Sequence, residues 1–461
     1  MLRASAKQCV WWGVAIAMCT LTVFAVTPGH AAYGDITLLG QVTPTGADQF
    51  CQIWGFERGD RSYAVIGDWD SGPIIIDTTD PTNPFVRKVI TGTGVFGFDV
   101  KVWRNYLYCT EGRFGHANES SRAIDITIFD VPIISAPFMN HHGFSIHPDG
   151  YLFAEIPGLR MYNLNVDPTP AAHAWYDGTM GGHDSTVDVD YDRLYDYHGY
   201  GGTFIWNIAN PTSPQMLGSI IDPTITYSHS GDNTLDGKFL FICDELATGV
   251  SKDLTVWDIS NPASATKVGS YNDLTATIHN LYIIGSLAFV SYYSAGFRVF
   301  DVSNPASPTL LDTFDTAPTH TGEGYDGCYS IYPYAPGGVV YVSDFDNGLY
   351  VFSVEGFTGL TSVGDVPQPA SGRLLGSYPN PFNPATTIAY ELDRDAHVSL
   401  AVYDTRGQLV RVLSDERAQA GRHQTRWDGI DAQGVRAASG VYFVKLTMDA
   451  ATDTGRMVLL K

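Results

Sequence analysis

One short phrase recurs along this chain and constrains its architecture more than any other feature. It is an alternating apolar strand ending in an aromatic and an Asx residue, followed by a turn of Ser/Thr, Asx and Pro. The clearest copies are Val256–Pro262 (VWDISNP) and Val299–Pro305 (VFDVSNP). Ile205–Pro211 (IWNIANP) and Ile75–Pro81 (IIDTTDP) are weaker, and degenerate copies centre on Asp130, Asn163 and Ser353. The anchor positions 77, 130, 163, 207, 258, 301 and 353 recur at a mean spacing of 46 residues. Pro fixes its own φ and keeps the preceding residue out of the helical region, while Asx bonds its own backbone, so each copy ends in a defined turn. A second strand often follows the turn and an apolar hairpin precedes it. Four short strands at this period predict an all-β chain, with a seven-bladed β-propeller over residues 32–354.

A ring needs a closure. The last copy, Leu349–Val354, runs on without an outer strand, whereas Ile36–Gln41 (ITLLGQ) resembles the outer strand Thr309–Asp312 (TLLD) of the sixth copy. Strand 35–42 is therefore expected to complete the seventh blade and remove two exposed edges. Composition agrees: 13% aromatic residues, 47 glycines and only 16% charged residues exclude a disordered chain and a coiled coil. The net charge of -22 and pI near 4.7 argue against nucleic acid and an anionic membrane surface as partners.

Residues 1–31 read as a secretory signal peptide: Arg3 and Lys7, an apolar run from Val10 to Val26, then small residues at Gly29 and Ala31. An uncleaved N-terminal anchor is the other reading, and no later apolar run is long enough to span a bilayer. Residues 32–371 hold 14 Lys/Arg against 39 Asp/Glu, whereas residues 372–461 hold 11 against 10. The break marks a linker at 355–372 and a second module at 373–461. There, alternating segments at 386–392, 398–403, 408–413, 422–427, 440–448 and 456–460, separated by glycines, predict a small immunoglobulin-like β-sandwich.

Both modules resemble known families. Ile53–Phe56 (IWGF), Asp99–Val102 (DVKV), Ile278–Tyr282 (IHNLY), Ser294–Val302 (SAGFRVFDV) and Tyr329–Pro333 (YSIYP) resemble the secreted choice-of-anchor B proteins, built from LVIVD-type propeller repeats. The resemblance covers roughly residues 35–354 and implies a secreted or surface propeller of no settled activity. Tyr378, Pro379, Asn380, Pro381, Phe382, Asn383 and Pro384, with Val402–Gly407 (VYDTRG) and Ser439–Phe443 (SGVYF), resemble the C-terminal sorting domain of type IX secretion cargo. That domain belongs to a flagellar-hook-cap-like immunoglobulin class. The resemblance implies export through outer-membrane machinery to the surface of a Gram-negative-type bacterium. An ordinary immunoglobulin-like spacer is the alternative.

No phosphate loop, nucleophile elbow, zinc-protease helix or paired CxxC signature is present. Aligning the blades at their inner strands instead yields a register of Cys51, Phe98, His142, His183, His229, His279 and Tyr329. The next residue in each is Gln52, Asp99, Gly143, Asp184, Ser230, Asn280 and Ser330. Four successive blades thus present His142, His183, His229 and His279 at one level of the channel. Imidazoles suit a single iron, copper, zinc or nickel ion. Asp99, Asp184 and Asn280 could orient the rings, with Tyr329 as a further channel polar group. The alternative is that each ring bonds a neighbouring strand's backbone and points away from the axis. Cys51 and Cys328 fall on neighbouring blades of a closed ring and suggest a disulfide, to be weighed against two separate thiols. Asp188, Asp190 and Asp192 lack the glycine and distal glutamate of a calcium loop and read as a solvated turn.

The function expected from these features is binding, of a peptide or a glycan, by an exported monomer. An extracytoplasmic metalloenzyme, loosely like the four-histidine iron propellers of the carotenoid oxygenase type, is the rival. A structural surface protein is the third reading.

Overall fold

The computed structural model describes residues 36–460 except 48, 70–71, 93–97, 111–119, 140, 157, 180, 248–251, 274, 323, 360–371, 393–395, 405–407, 420 and 449–450. The expected signal peptide, most of the expected linker and Lys461 lie outside these residues. Seven antiparallel sheets form the blades of a propeller, and a seven-stranded sandwich follows. No α-helix occurs among the described residues.

The inner strands, in blade order, are Phe50–Arg58, Val100–Trp103, Phe144–His147, Asp184–Asp188, Ser228–Asn233, Leu281–Ile284 and Cys328–Ala335. Each is followed outward by second, third and fourth strands, as in blade six with Leu287–Ser291, Phe297–Asp301 and Thr309–Phe314. In blade seven the outer strand is Ile36–Val42. It lies antiparallel to Gly348–Val354, with Ile36 opposite Val354 and Val42 opposite Leu349.

The recurring Asx residue ends the third strand, and its side chain accepts the amide hydrogen two residues on. These bonds measure 3.1 Å at Asp77, 3.1 Å at Asn163, 3.0 Å at Asn207, 2.9 Å at Asp258 and 2.8 Å at Asp301. In blade two the residue in this role is Asp125, which accepts from Thr127 at 2.8 Å. The sequence anchor Asp130 is thereby corrected: it lies beyond the strand and pairs with Arg87 at 2.8 Å.

Glycines of the outer strands explain why the phrase is shared between neighbouring blades. A Cβ on Gly218 would strike the main chain of Pro262, one on Gly269 that of Pro305 and Ala306, and one on Gly40 that of Pro81. The outer strand of one blade thus lies directly against the Asx-Pro turn of the next, and Gly40 places the N-terminal strand in the same scheme.

Seven apolar clusters fill the spaces between blades. One, between blades six and seven, is built on Phe289, Phe297, Ile331, Val342 and Phe352, all but fully buried. Burial of side chains this size, at roughly 1.5–3 kcal/mol each, is the main force closing the ring.

The C-terminal module pairs Gly372–Tyr378, Thr386–Leu392 and Gly421–Trp427 in one sheet. Leu409–Ala418, Ala396–Tyr403, Gly440–Met448 and Ala451–Leu459 form the other. Its first strand begins at Gly372, ahead of the Tyr378–Pro384 motif, so that motif turns the chain inside the sandwich. Phe382 is buried against Trp427, at 5.4 Å between ring centroids. Phe382 donates its amide hydrogen to the Val458 carbonyl at 2.9 Å, and Asn380 Nδ2 donates to the Arg456 carbonyl at 2.8 Å. Thr386 Oγ1 donates to the Pro379 carbonyl at 2.8 Å, while Tyr378 is 83% exposed. The motif's physical work is to fasten the last strand.

Candidate functional site

Each inner strand brings one residue to the same level of the channel, because the blades repeat the same approach. Phe98 packs on His142 at 4.7 Å between centroids, His142 on His183 at 4.3 Å, and His183 on His229 at 4.3 Å. His229 meets His279 at 4.5 Å, and His279 meets Tyr329 at 4.5 Å. Cys51 closes the circle in a buried cluster with Phe98, Tyr293 and Tyr329. Four of the seven wall residues are imidazoles and three are aromatic or thiol. His142, His183, His229, His279, Phe98 and Tyr329 line one cavity with Gln52, Asp99, Gly143 and Asp184.

The four histidines share this wall, but they do not converge on one centre. Successive rings are tilted by 56°, 49° and 46°, following the wall. His279 Nδ1 lies 2.5 Å from the Tyr329 carbonyl of the next blade, and the main chains of His229 and His279 face the rings of His183 and His229. Nδ1 of His183 and of His229 is buried without a hydrogen bond of good geometry. The metal-compatible set near the ring is instead His183, His229 and Glu245, whose donor atoms lie within 4.8 Å of one another. His142 and His279 fall outside it.

Asp99, Asp184 and Asn280 do not orient the imidazoles; they form a polar layer one residue further along the inner strands. Asp99 Oδ1 accepts from Lys101 Nζ at 2.6 Å, and Asp99 Oδ2 accepts from the Phe144 amide at 2.5 Å. Asp184 Oδ1 accepts from the Ser185 amide at 2.8 Å. Gln52 Nε2 donates to Asn280 Oδ1 at 3.2 Å, and Ser330 Oγ donates to Gln52 Oε1. This layer lines the same channel as the imidazoles, and its members bond main-chain amides and one another across blades, Asn280 Nδ2 lying 3.5 Å from Asp184 Oδ2. Tyr329 supports a histidine through its carbonyl.

Burial fixes the charge state of the wall. Desolvation pushes the pKa of His229 and His279 down to about 3 and holds His183 well below the ordinary imidazole value, neighbouring histidines adding to the effect in all three. Burial raises the Glu245 carboxyl and lifts Asp184 to about 7. His183, His229 and His279 are thus neutral imidazoles: lone-pair donors without cationic charge.

Sequence reasoning overlooked Glu245 and the tyrosines above it. Glu245, Tyr293 and Phe345 each lie two residues beyond the second-strand partner of Ser230, Asn280 and Ser330, respectively. An acid at the position that the next two blades fill with Tyr293 and Phe345 was the available signal. Tyr293 donates its hydroxyl to Glu245 Oε1 at 2.8 Å, and Glu245 Oε2 lies 3.5 Å from His229 Nε2. Tyr227 packs edge-on to His183 at 5.2 Å and to Tyr200 at 4.9 Å, while Tyr325 packs on Tyr293 at 5.2 Å. Gly199, at φ +54°, leaves room for the Tyr227 ring that a Cβ would strike. Tyr200 is 79% exposed and Tyr325 53%, so a tyrosine collar rims the mouth. Its loops connect blades or join second to third strands, which places them on the face where the inner strands begin.

No disulfide joins Cys51 and Cys328, correcting that expectation. Cys51 faces the channel cluster, whereas Cys328 turns into the apolar layer between blades six and seven. Cys109 and Cys243 are buried in inter-blade layers. Asp188 Oδ1 accepts amide hydrogens from Asp190 and Tyr191, as a turn residue does.

The fold and site define an all-β propeller carrying a C-terminal immunoglobulin-like module. In sequence, residues 61–89, 230–273 and 278–316 match the LVIVD repeat, and residues 382–452 match the FlgD Ig-like domain. No curated protein matches the chain. Among solved structures, the WD40 β-propeller domain of Doa1 is similar in fold, with a TM-score of 0.50 at 11% identity, covering 71% of this chain and 99% of that one.

Proposed function

We propose that this protein is an exported binding propeller, carried to the cell surface or released by its C-terminal module, and that its ligand docks at the tyrosine-collared mouth. The collar carries this reading. Two exposed tyrosine rings, braced by Tyr227 and Tyr293 over the channel, make a rigid platform of aromatic faces with hydroxyl edges. Such a surface suits the apolar faces of a sugar ring or the side chains of a peptide, and the net charge of -22 disfavours polyanions. Loops on a rigid scaffold commonly carry recognition.

Export is supported by the apparent leader at residues 1–31 and by the sorting-domain resemblance of residues 373–461, with secretion machinery of the outer membrane as the partner. Paired outer edges and the high net charge support a monomer. No helix among the described residues is long and apolar enough to cross a membrane.

The test is a screen of the purified protein against glycan and peptide arrays, repeated with Tyr200→Ala and Tyr325→Ala. The expected result is a hit weakened about tenfold or more by each substitution, as for aromatic anchors worth above 1 kcal/mol. Binding unaffected by both substitutions would move the ligand elsewhere on the propeller. The absence of any hit would favour a structural surface protein.

A further inference from the structure

Three imidazoles of the wall each face the main chain of the next blade. His279 directs Nδ1 at the carbonyl of the next blade, and the rings of His183 and His229 face the following main chain in the same sense. An imidazole that turns Nδ1–H to the wall keeps Nε2 as its lone-pair donor on the channel side. For His229 that direction is explicit, with Nε2 3.5 Å from Glu245 Oε2. A cation of the zinc class about 2.0–2.2 Å from each donor requires donors roughly 3–3.6 Å apart. The His229–Glu245 pair already has that separation, and His183 has a donor atom within 4.8 Å of both.

Two further observations distinguish this trio from ordinary packing. The Glu245 side chain is only 12% exposed, and its polar neighbours are the Tyr293 hydroxyl at 2.8 Å and the His229 ring at 3.5 Å. A buried carboxylate ordinarily has a cation or a full set of donors. Tyr293 also occupies Oε1 and leaves Oε2 turned to His229, the kind of outer hydrogen bond that orients a metal-ligating carboxylate. Two neutral imidazoles and one carboxylate are a donor set for zinc, iron(II), cobalt(II) or nickel(II), with coordination positions left for water or a docked ligand.

We propose that His183, His229 and Glu245 form a mononuclear site for a divalent transition-metal cation at the channel mouth. This goes beyond the binding role and stands whether or not a glycan or peptide docks on the collar.

The experiment uses the full chain, purified without an affinity tag, stripped with chelator and titrated with Co²⁺ alone and then Zn²⁺. One Co²⁺ per chain is expected, with visible d–d absorption that Zn²⁺ abolishes. Glu245→Gln and His229→Ala should each weaken Co²⁺ binding about 100-fold, and Tyr293→Phe about tenfold, whereas His142→Ala should stay within about threefold. Near-UV circular dichroism checks that each variant is folded. Should His229→Ala fail to fold, the near-isosteric Glu245→Gln decides. The proposal is overturned if wild type binds no Co²⁺. It is equally overturned if His142→Ala weakens binding as much as Glu245→Gln does, which would restore a four-histidine set. Unchanged stoichiometry and spectrum in Glu245→Gln would also overturn it, pointing to the half-exposed group His320, Asp326 and Asp346.

Discussion

His229 and His279 are neutral because burial, at the channel wall, penalises their charged forms; their pKa values of about 3 lie far below the ordinary value near 6.5. The consequence for stability has a definite sign. Between pH 6.5 and 3 the unfolded chain binds a proton at each of these positions that the folded chain refuses, so each destabilises the fold as pH falls. Asp184, raised to about 7, acts in the opposite sense: it favours the folded state in acid, and that contribution is lost as pH rises through 7. Comparing variants isolates the histidine effect. Relative to His279→Gln, wild type should lose about 1.4 kcal/mol per pH unit from pH 6.5 downward, read from urea midpoints at each pH. Parallel curves for the two proteins would show that His279 titrates normally. The histidine register was legible in sequence because four consecutive blades repeat it. The ring orientations were not, since they depend on which main-chain group of the next blade each Nδ1 meets. Glu245 was harder still: its register becomes visible only once Cys243 is paired with Ser230 across the blade.

Within a blade, two local devices hold the strands in register. The Asx side chain caps the third strand, and an outer-strand glycine admits the next blade's turn. Gly269→Val should cost about 1–3 kcal/mol, because its side chain would meet the Pro305–Ala306 main chain, which cannot rotate away. A lowered urea midpoint with an unchanged slope is the expected reading, and an unchanged midpoint would show that the outer strand yields. Deleting residues 36–42 should expose the Gly348–Val354 edge and produce concentration-dependent association, measurable by sedimentation. A deletion variant that stays monomeric would show that this strand is dispensable. These devices were readable because turn chemistry is local. Blade two departs from the scheme: Asp125 is followed by no Asx-Pro pair, and two short strands, Ile133–Ile134 and Phe138–Met139, both pair with Ser120–Asp125. The repeat phrase breaks there because no regular outer strand follows it. The last module's first strand, Gly372–Tyr378, was missed because its alternation runs directly out of a Gly/Ser/Pro-rich stretch.

At the level of the whole molecule, the propeller cores and the C-terminal core draw on separate stretches of chain, the latter on Phe382 through Leu459. Removing residues 372–461 should therefore leave the propeller's thermal transition in place, within a few degrees, while the truncated protein stays in the periplasm of a host with type IX machinery. Surface delivery of the truncated form would refute the sorting role, and loss of the transition would refute the independence of the cores. The two functional proposals share one geometric claim, that four imidazoles lie in sequence along a single wall beneath the mouth, those of His183, His229 and His279 neutral. Histidine-selective ¹³C labelling in a deuterated background tests it by NMR. Ring-to-ring NOEs are expected to link His142 to His183, His183 to His229, and His229 to His279, with the rings of His229 and His279 still neutral at pH 5. Separated rings without these NOEs, or imidazoles at 229 and 279 titrating near pH 6.5, would contradict it.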